Sequence, residues 1–470
     1  MKAHHGVRVV AAATAVLTLI GCTASEAPSE TSAGNETPSE SATPSTTPTS
    51  EPELEPQVIV VHPSRGPVEI GAAAARRVLA GDVDNWADLG LAGQPVNLVE
   101  DGLARTRIRR VARDANAITV VPASRVSPMV APVSVAGVNP IERPDLYPLL
   151  GPGPKPPRPV TVTIVGDLML ARGVAESMGD DLFAPLRPTA SYLRRADVTI
   201  GNLESSLSQD GIPTQGTDSF GADPRVLSSL ERAGFDVLSL ANNHVGDYGL
   251  RALQQTIKRI KASPIAGVGA GSNLREARRP AIVSVRGTDI GVLAFNSIGE
   301  SPAATASSPG TVEVRMPPRT GPQNRSELDA MADAVGRLRR KVDVVLVIPH
   351  WGDQYTSVPI GVQRRVAHRL ARAGATAVLG GHPHWVQGME MSGESLIAYS
   401  LGNFIFDMDF SEPTMRGFAL DLTFWDGRLM SAEPVPIVID PQFAAHLATG
   451  GVRRRILDDI WTNSFGSLSR

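Results

Sequence analysis

Two histidines one residue apart, His382 and His384, follow a Gly380-Gly381 pair and a short apolar run over residues 373–379. In extended backbone, residues two apart point the same way, so both imidazoles can face one point in space. Imidazole is a ligand for Zn, Fe, Mn and similar ions, and the Gly-Gly entry lets the backbone come close to whatever is bound. An isolated His-x-His also reads as a pair of surface loop histidines. The other histidines weigh against that reading. Of nine in the chain, His4 and His5 fall in an N-terminal targeting segment, whereas His244, His350, His382 and His384 all lie at the ends of apolar, strand-like runs.

Other strand-like runs end in the same way. Residues 160–165 lead to Gly166-Asp167, and 198–200 to Gly201-Asn202-Leu203-Glu204. Residues 237–240 lead to Ala241-Asn242-Asn243-His244 with Asp247 beyond, 342–348 to Pro349-His350-Trp351-Gly352-Asp353, and 396–400 to Leu401-Gly402-Asn403. Each has a plainer reading. Gly-Asp is a common turn, Asn242-Asn243 can cap the helix that starts near Gly249, and His350 beside Trp351 fits a core histidine. Taken together the ends supply Asp, Glu, Asn, His and His-x-His, which is a set of metal ligands.

The elements that must position them are short apolar strands alternating with amphipathic helices from Pro159 onward, the pattern of an α/β architecture. A parallel-type sheet brings such ends to one face, where α/β proteins gather their sites. The chain has 42% hydrophobic and only 4% aromatic residues, and its net charge is −3. That gives no electrostatic footprint for nucleic acid. Residues 1–22 carry Lys2 and Arg8, an apolar run over 9–20 that is too short to span a membrane at about 20 residues, and then Gly21-Cys22. Cys22 is the only cysteine, so a secreted chain would hold no disulfide. Residues 23–56 are Ser, Thr, Pro and Glu with few large apolar side chains, a composition that stays disordered and serves as a stalk. Folded sequence is expected over 57–150 as a small α/β module, followed by a Pro-rich linker at 151–159, the main unit at 160–440, and a cap helix and tail at 441–470.

Leu19-Ile20-Gly21-Cys22 resembles a bacterial lipobox, which implies acylation of Cys22 and anchoring to the outer face of the cytoplasmic membrane. The order of Gly81-Asp82-Val83-Asp84-Asn85-Trp86 and Tyr147-Pro148-Leu149 resembles part of the phosphate-binding-type periplasmic solute-binding proteins, without their serine-rich cradle. Six blocks in the main unit, GDLMLAR, GNLESSLS, LANNHVGDYG, PHWGDQY, GGHPHWVQG and YSLGNFIFD, resemble the CapA-type capsule or poly-γ-glutamate synthesis proteins of the calcineurin-like metallophosphatase superfamily. The resemblance implies an α/β sandwich binding one or two divalent ions through Asp167, Glu204, Asn243, His350, His382 and His384. It also implies His244 as the residue that protonates a leaving group, and Arg172 as a bidentate partner for a substrate anion. Two positions depart from the pattern. Met169 stands where metallophosphatases carry the histidine of Asp-x-His, and Gln354 replaces an acid of the "HWG-x-E-Y" block.

The first functional reading is a metal-dependent hydrolase or transferase working with an envelope polymer or its synthesis machinery. The second is a non-catalytic surface assembly protein, favoured by Met169. A solute sensor built on the N-terminal module is a third. Residues 205–224 and 299–326, rich in Gly, Pro, Ser and Thr, are long enough to wall a site.

Overall fold

The structure, a computed structural model, describes residues 53–469. The leader at 1–22 with Cys22, and residues 23–52, lie outside the described residues. Two sheets face each other in the main unit. The first has eight strands and runs Ala266–Val268, Val237–Ser239, Val198–Leu203, Val160–Leu168, Arg416–Trp425, Arg428–Ile439, Ala445–Leu447, with Asn403–Ile405 beside the end of Val160–Leu168. The second runs Ala281–Val285, Thr288–Asn296, Val344–His350, Ala377–Leu379, Ser395–Ala398, Met389–Ser392.

Period-two alternation explains why these strands read as continuous apolar runs. Val344 and Leu346 join Val160, Val162, Val198 and Ile200 in the core between the sheets. Val345 and Val347 turn outward to the helices Arg325–Arg339 and Gly361–Ala373. On the far side of the first sheet, Leu203 and Leu238 pack with Leu253 and Ile257 of helix Gly249–Ala262. The result is the expected α/β sandwich, with helices outside two facing sheets.

Register brings the strand ends together. In the first sheet Asp167 pairs with Asn202 and also with Asn403. In the second, Asn296 pairs with His350, and His350 bridges to Gly381. The ligand-bearing ends therefore come from two facing sheets and not from one parallel sheet.

Residues 54–152 form a separate mixed sheet around Leu54–Val61. One face packs its own core of Ile59, Trp86 and Tyr147. The other, with Val58, Val60 and Val121, packs on Trp425 and Met430 of the main unit. Trp425 Nε1 donates to Ile141 O at 2.8 Å, and Arg428 donates to the Ser124 and Val126 carbonyls.

Both composition-based borders shift. Leu54–Pro56, expected in the 23–56 stalk, are strand, and buried Glu55 accepts from Ser124 N–H at 3.1 Å. Gly151 and Pro152, expected in the 151–159 linker, pair with Glu55 and Leu54. Each segment's partner is nearly a hundred residues away, so local composition could not reveal it. At the other end Ala445–Leu447 extends the first sheet, and helix Gly450–Thr462 sets Ile456, Ile460 and Trp461 into the core between the sheets. Among the described residues, no helix is long and apolar enough to cross a membrane.

Candidate metal centre

Helix Gly361–Ala373 ends at Gly374 in the left-handed conformation, and the buried strand Ala377–Leu379 follows. The loop after it is not extended. His382 and His384 have φ of 93° and 58°, values that cost non-glycine residues about 1–3 kcal/mol each and gather at functional sites. The two rings converge because the backbone turns left-handed there, not because of strand alternation. Their centroids lie 5.8 Å apart. The glycines before them are required by close approach. A Cβ at Gly380 would collide with Tyr399 O, and one at Gly381 would sit 2.5 Å from Asp167 Oδ1.

All six expected ligands meet here. Asp167 Oδ1 accepts from Asn202 Nδ2 at 2.9 Å and Oδ2 from His382 N–H at 3.0 Å. His350 Nε2 lies 2.8 Å from Asn243 Oδ1 and 3.4 Å from Glu204 Oε1, and the His350 and His382 rings are 5.0 Å apart. His384 Nδ1 contacts Asn403 Oδ1 at 2.9 Å. Two triads have donor atoms within 4.8 Å of one another, Glu204–His350–His382 and Asp167–Glu204–His384, and Glu204 belongs to both.

Several donors have no protein partner. Both Glu204 oxygens, both His382 ring nitrogens and His384 Nε2 are buried without a hydrogen bond. Burial, then Asp167, pushes the Glu204 carboxyl well above its usual range. Burial pushes His350 down to about 4 and His382 well below an ordinary imidazole. Neutral imidazoles around the unpaired buried carboxyl of Glu204 are what a divalent cation needs and what an apolar core cannot satisfy. The residues therefore fit a divalent ion, which Glu204, His350 and His382 with Asn243 beside them, or Asp167, Glu204 and His384, would hold. The triad with Asp167 gains none from Met169, whose sulfur is buried against the helix-side core and accepts from Ala171 N–H at 3.1 Å.

His244 sits beside the centre, its Nε2 4.0 Å from Glu204 Oε1 and its Nδ1 2.7 Å from Asp247 Oδ2. Asp247 also accepts from Phe220 N–H at 2.7 Å and Gln215 Nε2 at 2.6 Å. Burial pushes the Asp247 carboxyl up to about 8 and the His244 ring down to about 3. Near neutral pH this contact holds one proton more than a carboxylate and a neutral ring. His244 Nε2 then keeps a hydrogen that faces the centre. Phe220 stacks on His244 at 3.8 Å, and Arg172 lies over Phe220 at 4.4 Å.

Arg172 is at the rim, but its fork is occupied. Nε and Nη2 bind Asp407, and Nη1 binds Asp218 at 2.9 Å. The bidentate geometry expected for a substrate anion is taken by a carboxylate of the chain itself. Asn242, expected as a helix cap, instead anchors the turn by accepting from His244 and Val245 N–H.

Sequence reasoning passed over three supports. Asn202 and Asn403 carried a signal, since each stands at a quoted strand end. Glu300 carried none. It comes from the 299–326 loop and its Oε2 accepts from Asn243 Nδ2 at 2.8 Å, which turns the Asn243 carbonyl oxygen towards His350.

A family profile described as "Bacterial capsule synthesis protein PGA_cap" matches residues 161–408. The capsule biosynthesis protein CapA of Bacillus anthracis is 32% identical over 257 residues, covering 53% of this chain and 60% of that protein. The PGA biosynthesis protein CapA of Bacillus subtilis is 28% identical over 256 residues, with 53% and 63% covered. The chain thus spans about three fifths of the length of these relatives. Among solved structures, a hypothetical protein from Thermus thermophilus is 18% identical, covers 59% of this chain and 98% of its own, and superposes with a TM-score of 0.38, too low to carry an argument.

Proposed function

Because this chain belongs to the family of bacterial capsule synthesis proteins, whose profile covers more than half of it, we propose that it acts in the synthesis, export or processing of a capsule-like or poly-γ-glutamate-like envelope polymer as a metal-dependent hydrolase or transferase. The observation that carries this reading is the pair of buried ligand triads sharing Glu204, with donor atoms that no protein group satisfies. A divalent ion held by these residues would lower the pKa of bound water to about 7 and polarise the bond under attack. The chain's own part is threefold. Asp167, Asn243 and the four buried ligands with them fix the site and exclude bulk water. His244 holds a proton at Nε2 for the leaving group. Asp247 keeps that ring in place through Nδ1.

The test is metal content of the purified chain, measured together with turnover of a panel of phosphodiesters and γ-glutamyl amides. Two ions per chain and metal-dependent turnover are expected. A chain that takes up no Mn, Fe or Zn at millimolar concentration overturns the reading. A non-catalytic assembly role is favoured by Met169 at a ligand position, and metal uptake without turnover on any substrate would select it.

The polymer machinery and the membrane are the proposed partners, with Cys22 acylated and the chain held on the outer face of the cytoplasmic membrane. Fractionation of Cys22→Ala tests the anchor. Membrane retention of the variant equal to that of the parent would count against it.

A further inference from the structure

We propose that Arg319 and Tyr355 form a binding arm beside the metal centre for a second anionic group of the substrate, a carboxylate or phosphate next to the reacting bond. The inference rests on the metal-centre reading above and extends it to the substrate. Two arginines stand beside the site: Arg172 lies over Phe220, which stacks on His244, and Arg319 lies beside Glu300, which accepts from Asn243. Arg172 has its fork filled by Asp407 and Asp218. Arg319 does not. Among the described residues its guanidinium meets only Glu300, at 3.9 Å, beyond hydrogen-bond reach. The other Glu300 oxygen is already engaged by Asn243. An exposed guanidinium with free donors is a planar fork that suits a carboxylate or phosphate.

Tyr355 supplies the second half. Its φ is 60°, an outlier for an aromatic residue that persists only where its surroundings enforce it. Its N–H donates to the carbonyl of Pro383, the residue between the two ligand histidines, at 2.9 Å. The ring stands 6.2 Å from His384, with Phe410 edge-on at 5.4 Å. Tyr355 is 38% exposed and Phe410 65% exposed, and the Tyr355 hydroxyl has no hydrogen-bond partner among the described residues. A strained backbone thus holds an exposed aromatic face and a free hydroxyl beside the histidine loop. The substrate this fits has an aliphatic or flat stretch for the rings and a negative charge for the fork. A γ-linked glutamate chain has one free carboxylate per residue on an aliphatic backbone, and a phosphoanhydride has the charge without the aliphatic stretch.

The test is calorimetric binding of a γ-linked glutamate tetramer and of inorganic tripolyphosphate to the full chain loaded with Mn²⁺. Arg319→Gln should weaken the probe that binds by about tenfold or more, the loss of a charged hydrogen bond, with metal content unchanged. Tyr355→Ala should weaken the tetramer more than tripolyphosphate, which loses the hydroxyl but has no aliphatic stretch for the ring. Arg109→Gln, on an exposed helix of the N-terminal module, should change neither. Equal affinities for the parent and Arg319→Gln, an equal loss in Arg109→Gln, or no binding of either probe by the parent overturns the arm. Arg319-dependent binding in a chain that hydrolyses nothing would sink the hydrolytic reading and leave the arm standing.

Discussion

Replacing Glu204 by Gln should change stability in opposite directions with and without bound metal. Without metal, both carboxylate oxygens are buried and unpartnered, and burial with Asp167 holds the group protonated well above the usual carboxylate range. The folded chain then keeps a proton that the unfolded chain loses above about pH 4.3. A raised folded pKa means stability present at low pH and lost as pH rises, here by about 1.4 kcal/mol per pH unit while the group stays protonated. The buried histidines act elsewhere. His350 and His382 are shifted down, so they cost stability only below about pH 6.5, where the unfolded rings charge. Between about pH 6.5 and 8 the Glu204 slope stands clear of theirs. Gln keeps the shape and has no such proton to lose. Urea titrations of the chelator-treated chain and of Glu204→Gln should therefore diverge as pH rises through that window, the parent losing stability relative to the variant. With metal at about a hundred times its Kd, the parent should gain about 2.7 kcal/mol per site, and the variant, lacking the donor common to both triads, should gain less. Parallel pH slopes without metal, or equal gains with it, would refute the reasoning.

His382→Ala and His384→Ala should each lower metal stoichiometry by one ion, read by elemental analysis, because each belongs to a different triad. Metal affinity should tighten as pH rises, because burial favours the protonated form of Glu204 and metal needs the deprotonated one, measurable by calorimetry in buffers of different pH. Asp247→Ala should keep its metal yet lose turnover by about 10²–10³-fold, since His244 Nδ1 loses its partner. Trp425→Ala should cost about 3–5 kcal/mol at the contact with the N-terminal module, seen as proteolysis in residues 153–159 with metal content preserved.

The site is more legible in the sequence than the reason it forms. Strand ends can be read because each apolar run stops at a polar residue, and the resemblance of the six blocks picks Asp167, Glu204, Asn243, His350, His382 and His384 from among them. Extended backbone accounts for a convergent His-x-His on paper, whereas two positive φ angles produce it in the fold. Local spacing has no term for that strain. A parallel-type sheet follows from the strand runs alone, and the two facing sheets of the sandwich come only from the resemblance, because apolar runs do not say which of them pair. Glu300 is invisible for a related reason. It sits in a loop, and its importance lies in a contact with Asn243 across 57 residues.

The pairing of Leu54–Pro56 with Leu150–Pro152 places the module's entry and exit side by side. A pull on the chain ahead of Leu54, opposed by the main unit beyond Pro159, therefore opens those rungs one at a time, as a zipper, and does not load them together in shear. The force reaches this edge of the module first, and next the seat of Trp425 in the contact below it. The strands that carry the histidines lie off this load path. Under such a pull the module's edge would open before the strands that carry the histidines were loaded.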